Sequence, residues 1–95
     1  MKNLIMLILV IDKIIKLLIS VEENNWSVSF MTFRERFNET DNQYLELLRS
    51  DILQIYGGMG SFSDLVLYSQ GQPLIKENQK LEVLRKDLFR LLNDR

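Results

Sequence analysis

The 95-residue chain contains no cysteine and no histidine. The first absence excludes disulfides, thiolate metal sites and thiol catalysis, and fits a reducing compartment. The second excludes imidazole acid–base chemistry, histidine-ligated zinc and a Ser-His-Asp triad within the chain. Charge of one sign is also missing: the formal net charge is −1, so no overall field draws in nucleic acid. No apolar run is long. The longest, residues 4–11, is far below the roughly 20 residues that cross a bilayer. Asp12, Lys13 and Lys16 interrupt it and no small-x-small site follows, so it does not read as a signal peptide.

What is present is ordinary for a globular protein. Hydrophobic residues make up 46% and charged residues 26%, too apolar for a disordered chain. The length suits a single domain spanning 1–95, one that buries roughly two-thirds of its unfolded surface. No repeat or low-complexity tract is visible.

The periodicity predicts an all-α fold: a small bundle of four main helices near 3–23, 26–38, 41–56 and 75–93, with a glycine-rich turn and one short extra element. In the first helix Lys2, Asp12, Lys13, Lys16, Ser20 and Glu23 share a face. The apolar arc opposite covers roughly 220°. Ile5 and Leu9 nevertheless fall inside the polar face. So much apolar surface implies either a central helix or one whose first three turns meet another chain or a membrane surface, and Leu4, Ile5, Ile8, Leu9 and Asp12 are the candidate interface.

Asn24 and Asn25 suit a turn or a helix cap. Trp26, Phe30, Phe33 and Phe37 then form a narrow aromatic stripe. Its neighbours Arg34, Glu35, Arg36 and Glu39 cancel in charge, so the stripe reads as core and not as a base-stacking platform, with the charges on a solvated face. Thr40 and Gln43 make a T-x-x-Q capping box before the third helix, whose apolar side carries Tyr44, Leu45, Leu48, Ile52, Ile55 and Tyr56. In the last helix Leu74, Leu81, Leu84, Leu88, Leu91 and Leu92 lie within about a 100° arc. Glu77–Lys80, Glu82–Lys86 and Asp87–Arg90 are spaced for ion pairs along its outer side. Asn78, beside the stripe, is expected at the surface.

Gly57, Gly58 and Gly60 break the helical pattern. Gly57 stands where a helix C-terminal glycine belongs. Ser61 with Asp64 fits a capping box for a new helical turn, although residues 65–68 suit a buried strand equally well. The same turn could cradle a ligand with backbone N–H groups, making Gly57, Gly58, Gly60, Ser61, Ser63 and Asp64 the candidate ligand turn, walled by Tyr56 or Tyr68. No Lys-Ser/Thr follows the glycines, the G-x-G-x-x-G spacing is absent, and Asp64 repels an anion. Asp64 would serve as a general base only if burial raised its pKa. Residues 69–73 read as a loop, the best placed of all to be mobile.

The stretch Gly57-Gly58-Met59-Gly60-Ser61-Phe62-Ser63-Asp64-Leu65-Val66-Leu67 resembles the signature of a small bacterial domain family of unknown function. Members read GGMGSFNDLVL, followed by a short gap and an Asn- and Leu-bearing C-terminal helix. Trp26 and the Asn78, Leu81, Leu84 run are similar to that pattern, while Ser63 stands where the family usually has Asn. The resemblance implies a compact bacterial cytoplasmic protein and no assigned activity.

Two functions are therefore expected in order. The first is a small helical protein–protein interaction module that binds a protein partner or forms a homodimer, as a regulator or toxin-neutralising protein does. The alternative is a small-ligand or anion-binding module at the glycine turn. No enzymatic constellation, metal site or cofactor is expected. Nor is nucleic-acid binding, because a helix-turn-helix ending in residues 62–67 would carry no Arg or Lys.

Overall fold

The computed structural model describes residues 3–39 and 41–94. Lys2 of the first polar face and Thr40 of the T-x-x-Q box lie outside the described residues. Four α-helices make up most of the chain: α1 (Leu4–Ser20), α2 (Asn24–Glu39), α3 (Leu45–Leu53) and α4 (Ile75–Asn93). One minimal antiparallel ladder joins β1 (Tyr68–Ser69) to β2 (Gln72–Pro73), with Tyr68 opposite Pro73 and Ser69 opposite Gln72. The protein is a mostly α small bundle, as the periodicity predicts.

α1 is the central helix. It packs against both α2 and α4, and it buries Leu7, Val10, Ile11, Ile14 and Leu18. These side chains recur at three- and four-residue spacing, which puts them on one stripe. Phe30 of α2, Leu48 and Ile52 of α3, and Leu81, Leu88, Leu91 and Leu92 of α4 close the same core. Trp26, Phe33 and Phe37 pack against it, so the aromatic stripe is core. At the open end Asn3 Nδ2 donates to Asp94 Oδ2 at 2.8 Å, tying the start of α1 to the end of α4. The two helices therefore run antiparallel.

The α1–α2 reversal does not use the asparagines. Glu22 takes a φ of 59°, and Glu23 N and Glu22 N donate back to Leu18 O and Ile19 O. This satisfies the last carbonyls of α1 in a Schellman arrangement. The carboxylate of Glu23 then accepts from Trp26 N at 2.6 Å and caps α2. α2 consequently starts at Asn24, earlier than expected. α3 is shorter than 41–56, because both of its ends tighten into 3₁₀ turns, Asn42–Tyr44 and Gln54–Tyr56.

The charges expected on solvated faces hold helices together. Arg34 Nε donates to Asp12 Oδ1 at 2.8 Å, linking α2 to α1. Arg36 reaches Asp51 at 2.8 Å, linking α2 to α3. Arg49 is buried, with Nη1 donating to Leu92 O and Nε to Glu46. On α4 the Glu82–Lys86 and Asp87–Arg90 pairs form, at 3.4 and 3.6 Å. Glu77–Lys80 is not among the ion pairs of the described residues.

Candidate functional site

The start of α1 exposes more apolar surface than its neighbours cover. Ile5 is 76%, Met6 53% and Leu9 48% exposed. One helical turn separates Ile5 from Leu9, and Met6 borders both, so the three form one patch. Leu4 and Ile8 flank it half-buried. Asp12, the fifth expected interface residue, is exposed at the patch edge but is held by Arg34. The central-helix alternative therefore accounts for the inner face of α1 and leaves this outer patch exposed among the described residues.

The glycine turn is built differently from its sequence pattern. Gly57 is extended (φ −103°), and the positive φ angles fall on Gly58 (84°) and Gly60 (71°). The 3₁₀ turn Gln54–Tyr56 ends in an extended Gly57, so the reversal falls on the glycines after it. A Cβ at Gly58 or Gly60 would meet nothing within 4 Å, so backbone conformation and not crowding demands glycine there. Between them Met59 is fully exposed.

No capping box forms at Ser61. Phe62–Asp64 is a single 3₁₀ turn closed by Asp64 N donating to Ser61 O at 3.0 Å, with no side-chain cap. The reason lies in Phe62, which is fully buried and draws Ser61 inward with it. Ser61 Oγ is buried without a partner among the described residues, beside a hollow of about 320 Å³ that Trp26, Gly60, Asp64 and Tyr68 also line. Ser63 Oγ donates to Tyr56 O at 2.8 Å and stitches the turn. Asp64 is exposed, so the burial that a general base needs is not supplied. Its carboxylate on the hollow also works against an anion there. Residues 65–67 continue extended into β1, and no second helix of a helix-turn-helix follows the glycines. Residues 69–73 form a two-residue hairpin turn and not an irregular loop. Gln70 (φ 52°) and Gly71 (φ 77°) give the doubly left-handed turn that matches strand twist.

Two α4 side chains fasten this segment: Asn78, expected at the surface, and Arg85, which the spacing patterns leave unassigned. Arg85 Nη1 donates to Phe62 O at 2.9 Å and Leu65 O at 2.8 Å, while Nη2 pairs with Glu82 at 2.7 Å. That hydrogen bond holds the Glu82 carboxyl below its ordinary range. Asn78 is half-buried, not at the surface. Its Oδ1 accepts from Leu67 N at 2.8 Å, and its Nδ2 donates to Leu67 O and Leu74 O at 3.0 and 2.8 Å. It acts as a missing strand partner, because Leu67 is buried and its backbone needs one.

Tyr56 completes the junction. Its Oη donates to Arg85 O at 2.8 Å. Burial pushes its pKa above the ordinary 10.0, against the opposing pull of the Arg85 charge. The folded state thus favours the neutral phenol. Stability from this source is intact below pH 10 and falls as the pH rises beyond it, by up to about 1.4 kcal/mol per unit. Tyr56→Phe is expected to cost about 1 kcal/mol near pH 7 through the lost hydrogen bond. The deficit shrinks or reverses near pH 11, where Phe has nothing to ionise. Urea midpoints at the two pH values check this; a deficit equal at both contradicts it.

Residues 19–75, more than half of the chain, match the family described as Domain of unknown function (DUF6966). The chain belongs to this family. No curated protein and no solved structure matches it. The DUF6966 match takes in α2, α3, the glycine turn and the hairpin, including residues 62–67 that Arg85 and Asn78 fasten from outside it. Most of α1 and nearly all of α4 lie beyond its limits. No helix among the described residues is long and apolar enough to cross a membrane.

Proposed function

We propose that the chain is a small helical protein–protein interaction module and that the exposed start of α1 binds a second copy of itself. The observation that supports this is the exposed patch of Ile5, Met6 and Leu9 on an otherwise central, well-packed helix. Contiguous exposed apolar patches larger than a few hundred Å² mark interaction sites. The patch is self-complementary. In an antiparallel pair of α1 helices with a two-fold axis level with Leu7, Ile5 of each faces Leu9 of the other. Asp12 then stays with Arg34, and Lys13 and Lys16 fall beyond the apolar contact. A bacterial cytoplasmic setting and a regulatory role suit such a module.

Light scattering with size-exclusion chromatography tests it. A dimer is expected at micromolar concentration, and Ile5→Lys/Leu9→Lys is expected to be a folded monomer. A strict monomer for the unaltered chain, or a dimer that survives the double substitution, refutes the reading.

A further inference from the structure

Four of the six lysines of this chain line one groove. Lys13 and Lys16 stand on α1, and Lys76 and Lys80 face them from α4, across a trough of about 720 Å³. The helices meet there because they run antiparallel, bringing the last turns of α1 beside the first turns of α4. Leu17, Val83 and Leu84 form an aliphatic floor. No carboxylate lines the groove, and none of the four lysines forms an ion pair among the described residues. Every arginine among the described residues is paired with a carboxylate. In a chain of net charge −1, this concentrates free positive charge on one concave surface.

We infer that this groove is a binding site for an acidic amphipathic helix of another protein. The charge asks for a polyanion. One carboxylate, as on a fatty acid, would answer one or two lysines and leave the rest facing each other. The spacing fits a helix: Lys13 and Lys16 are three residues apart, Lys76 and Lys80 four, about 4.5 and 6 Å along their axes. Carboxylates at i, i+3 and i, i+4 on a bound helix repeat at the same intervals. The floor selects against nucleic acid, since it offers aliphatic side chains where bases would need aromatic ones. A trough between two helices also suits a rod of about 10 Å diameter better than a flat bilayer. Lysine side chains bury their stems along apolar surface and keep the ammonium in water, so an incoming helix meets both chemistries at once. All four lysines lie outside residues 19–75, so the site belongs to this chain's flanking helices and not to the matched part of the domain. It also uses none of Ile5, Met6 and Leu9, so it stands or falls separately from self-association.

The test is fluorescence anisotropy with a labelled 16-residue synthetic helix carrying leucines on one face and glutamates beside them. Expected is saturable binding that weakens as salt rises, because rim charges are screened over about 8 Å at physiological ionic strength. Lys13→Gln/Lys16→Gln/Lys76→Gln/Lys80→Gln is expected to weaken it by about tenfold or more. Lys86→Gln, a lysine already paired with Glu82, changes it less than about twofold. Val83→Glu, at an exposed floor position, is expected to abolish binding while circular dichroism stays unchanged. Equal binding of a scrambled, non-amphipathic peptide of the same composition overturns the inference. So does equal binding of a single-stranded oligonucleotide, of sodium oleate or of phosphatidylglycerol vesicles, and so does indifference to the four substitutions.

Discussion

Phe62→Ala is expected to destabilise the protein by about 3–5 kcal/mol, the range for deleting a fully buried aromatic ring. Phe62 has no exposed surface, and three rings surround it: Phe30 at 4.8 Å, Trp26 at 5.3 Å and Tyr56 at 5.8 Å between centroids. Arg85 lies over its face at 5.8 Å. The residue thus joins α2, the turn after α3 and α4 at one point. Against a net stability of about 5–15 kcal/mol for a domain, that loss leaves little margin. Urea unfolding followed by the fluorescence of Trp26, the only tryptophan, measures it directly. Met59→Ala, three residues away and fully exposed, is expected to change the midpoint by less than about 0.5 kcal/mol. A Phe62→Ala cost near that of Met59→Ala would mean that the glycine segment does not seat in the core.

Arg85→Met is expected to cost about 2–4 kcal/mol, almost all of it through Phe62 O and Leu65 O. Methionine keeps much of the aliphatic stem but leaves Leu65 O without its donor, at about 1–3 kcal/mol, and Phe62 O with only the 3.3 Å bond from Leu65 N, at about 1 kcal/mol. Arg85→Lys recovers only part of the loss, because one ammonium on a flexible stem does not reproduce a planar fork aimed at two acceptors. Glu82→Gln is the discriminating control. It weakens only the exposed ion pairs of Glu82 with Arg85 and Lys86, each worth about 1 kcal/mol at most. Denaturation midpoints of the three variants separate the contributions. If Glu82→Gln is as damaging as Arg85→Met, the ion pair and not the two carbonyls is what Arg85 supplies.

The four helices were readable because their signal is local. Leu7, Ile11, Ile14 and Leu18 repeat at helical spacing whatever α1 packs against, and the same holds for Leu81, Leu88 and Leu92. Their ends were less readable. The asparagines at 24 and 25 suggested a cap that Glu23 supplies, since a carboxylate three residues ahead of an N–H does the same work. Ser61 and Asp64 matched a capping box that the burial of Phe62 overrides, because burying a phenylalanine outweighs one exposed hydrogen bond. Asn78 read as a surface group and Arg85 drew no reading, because they hold backbone atoms 11 to 23 residues away and no short-range pattern encodes such a distance.

The sites divide in the same way. Ile5 and Leu9 stood out in the sequence as apolar residues on the wrong side of a helical wheel, and they are exposed. The lysine groove was invisible there. Lys13 and Lys16 read as one polar face and Lys80 as half of an ion pair, and only the antiparallel packing of α1 on α4 sets the two faces side by side.

By itself the sequence determined the helical class, the stripe each helix buries, the place where the chain must reverse, and the exclusion of thiol and imidazole chemistry. These follow from composition and from periods of a few residues, which act before the chain has any tertiary contacts. The tertiary structure alone decided which helix is central, how residues 62–67 are held, and where the free positive charge collects. Those outcomes depend on surfaces dozens of residues apart being brought together, and only the packing of one shared core brings them there.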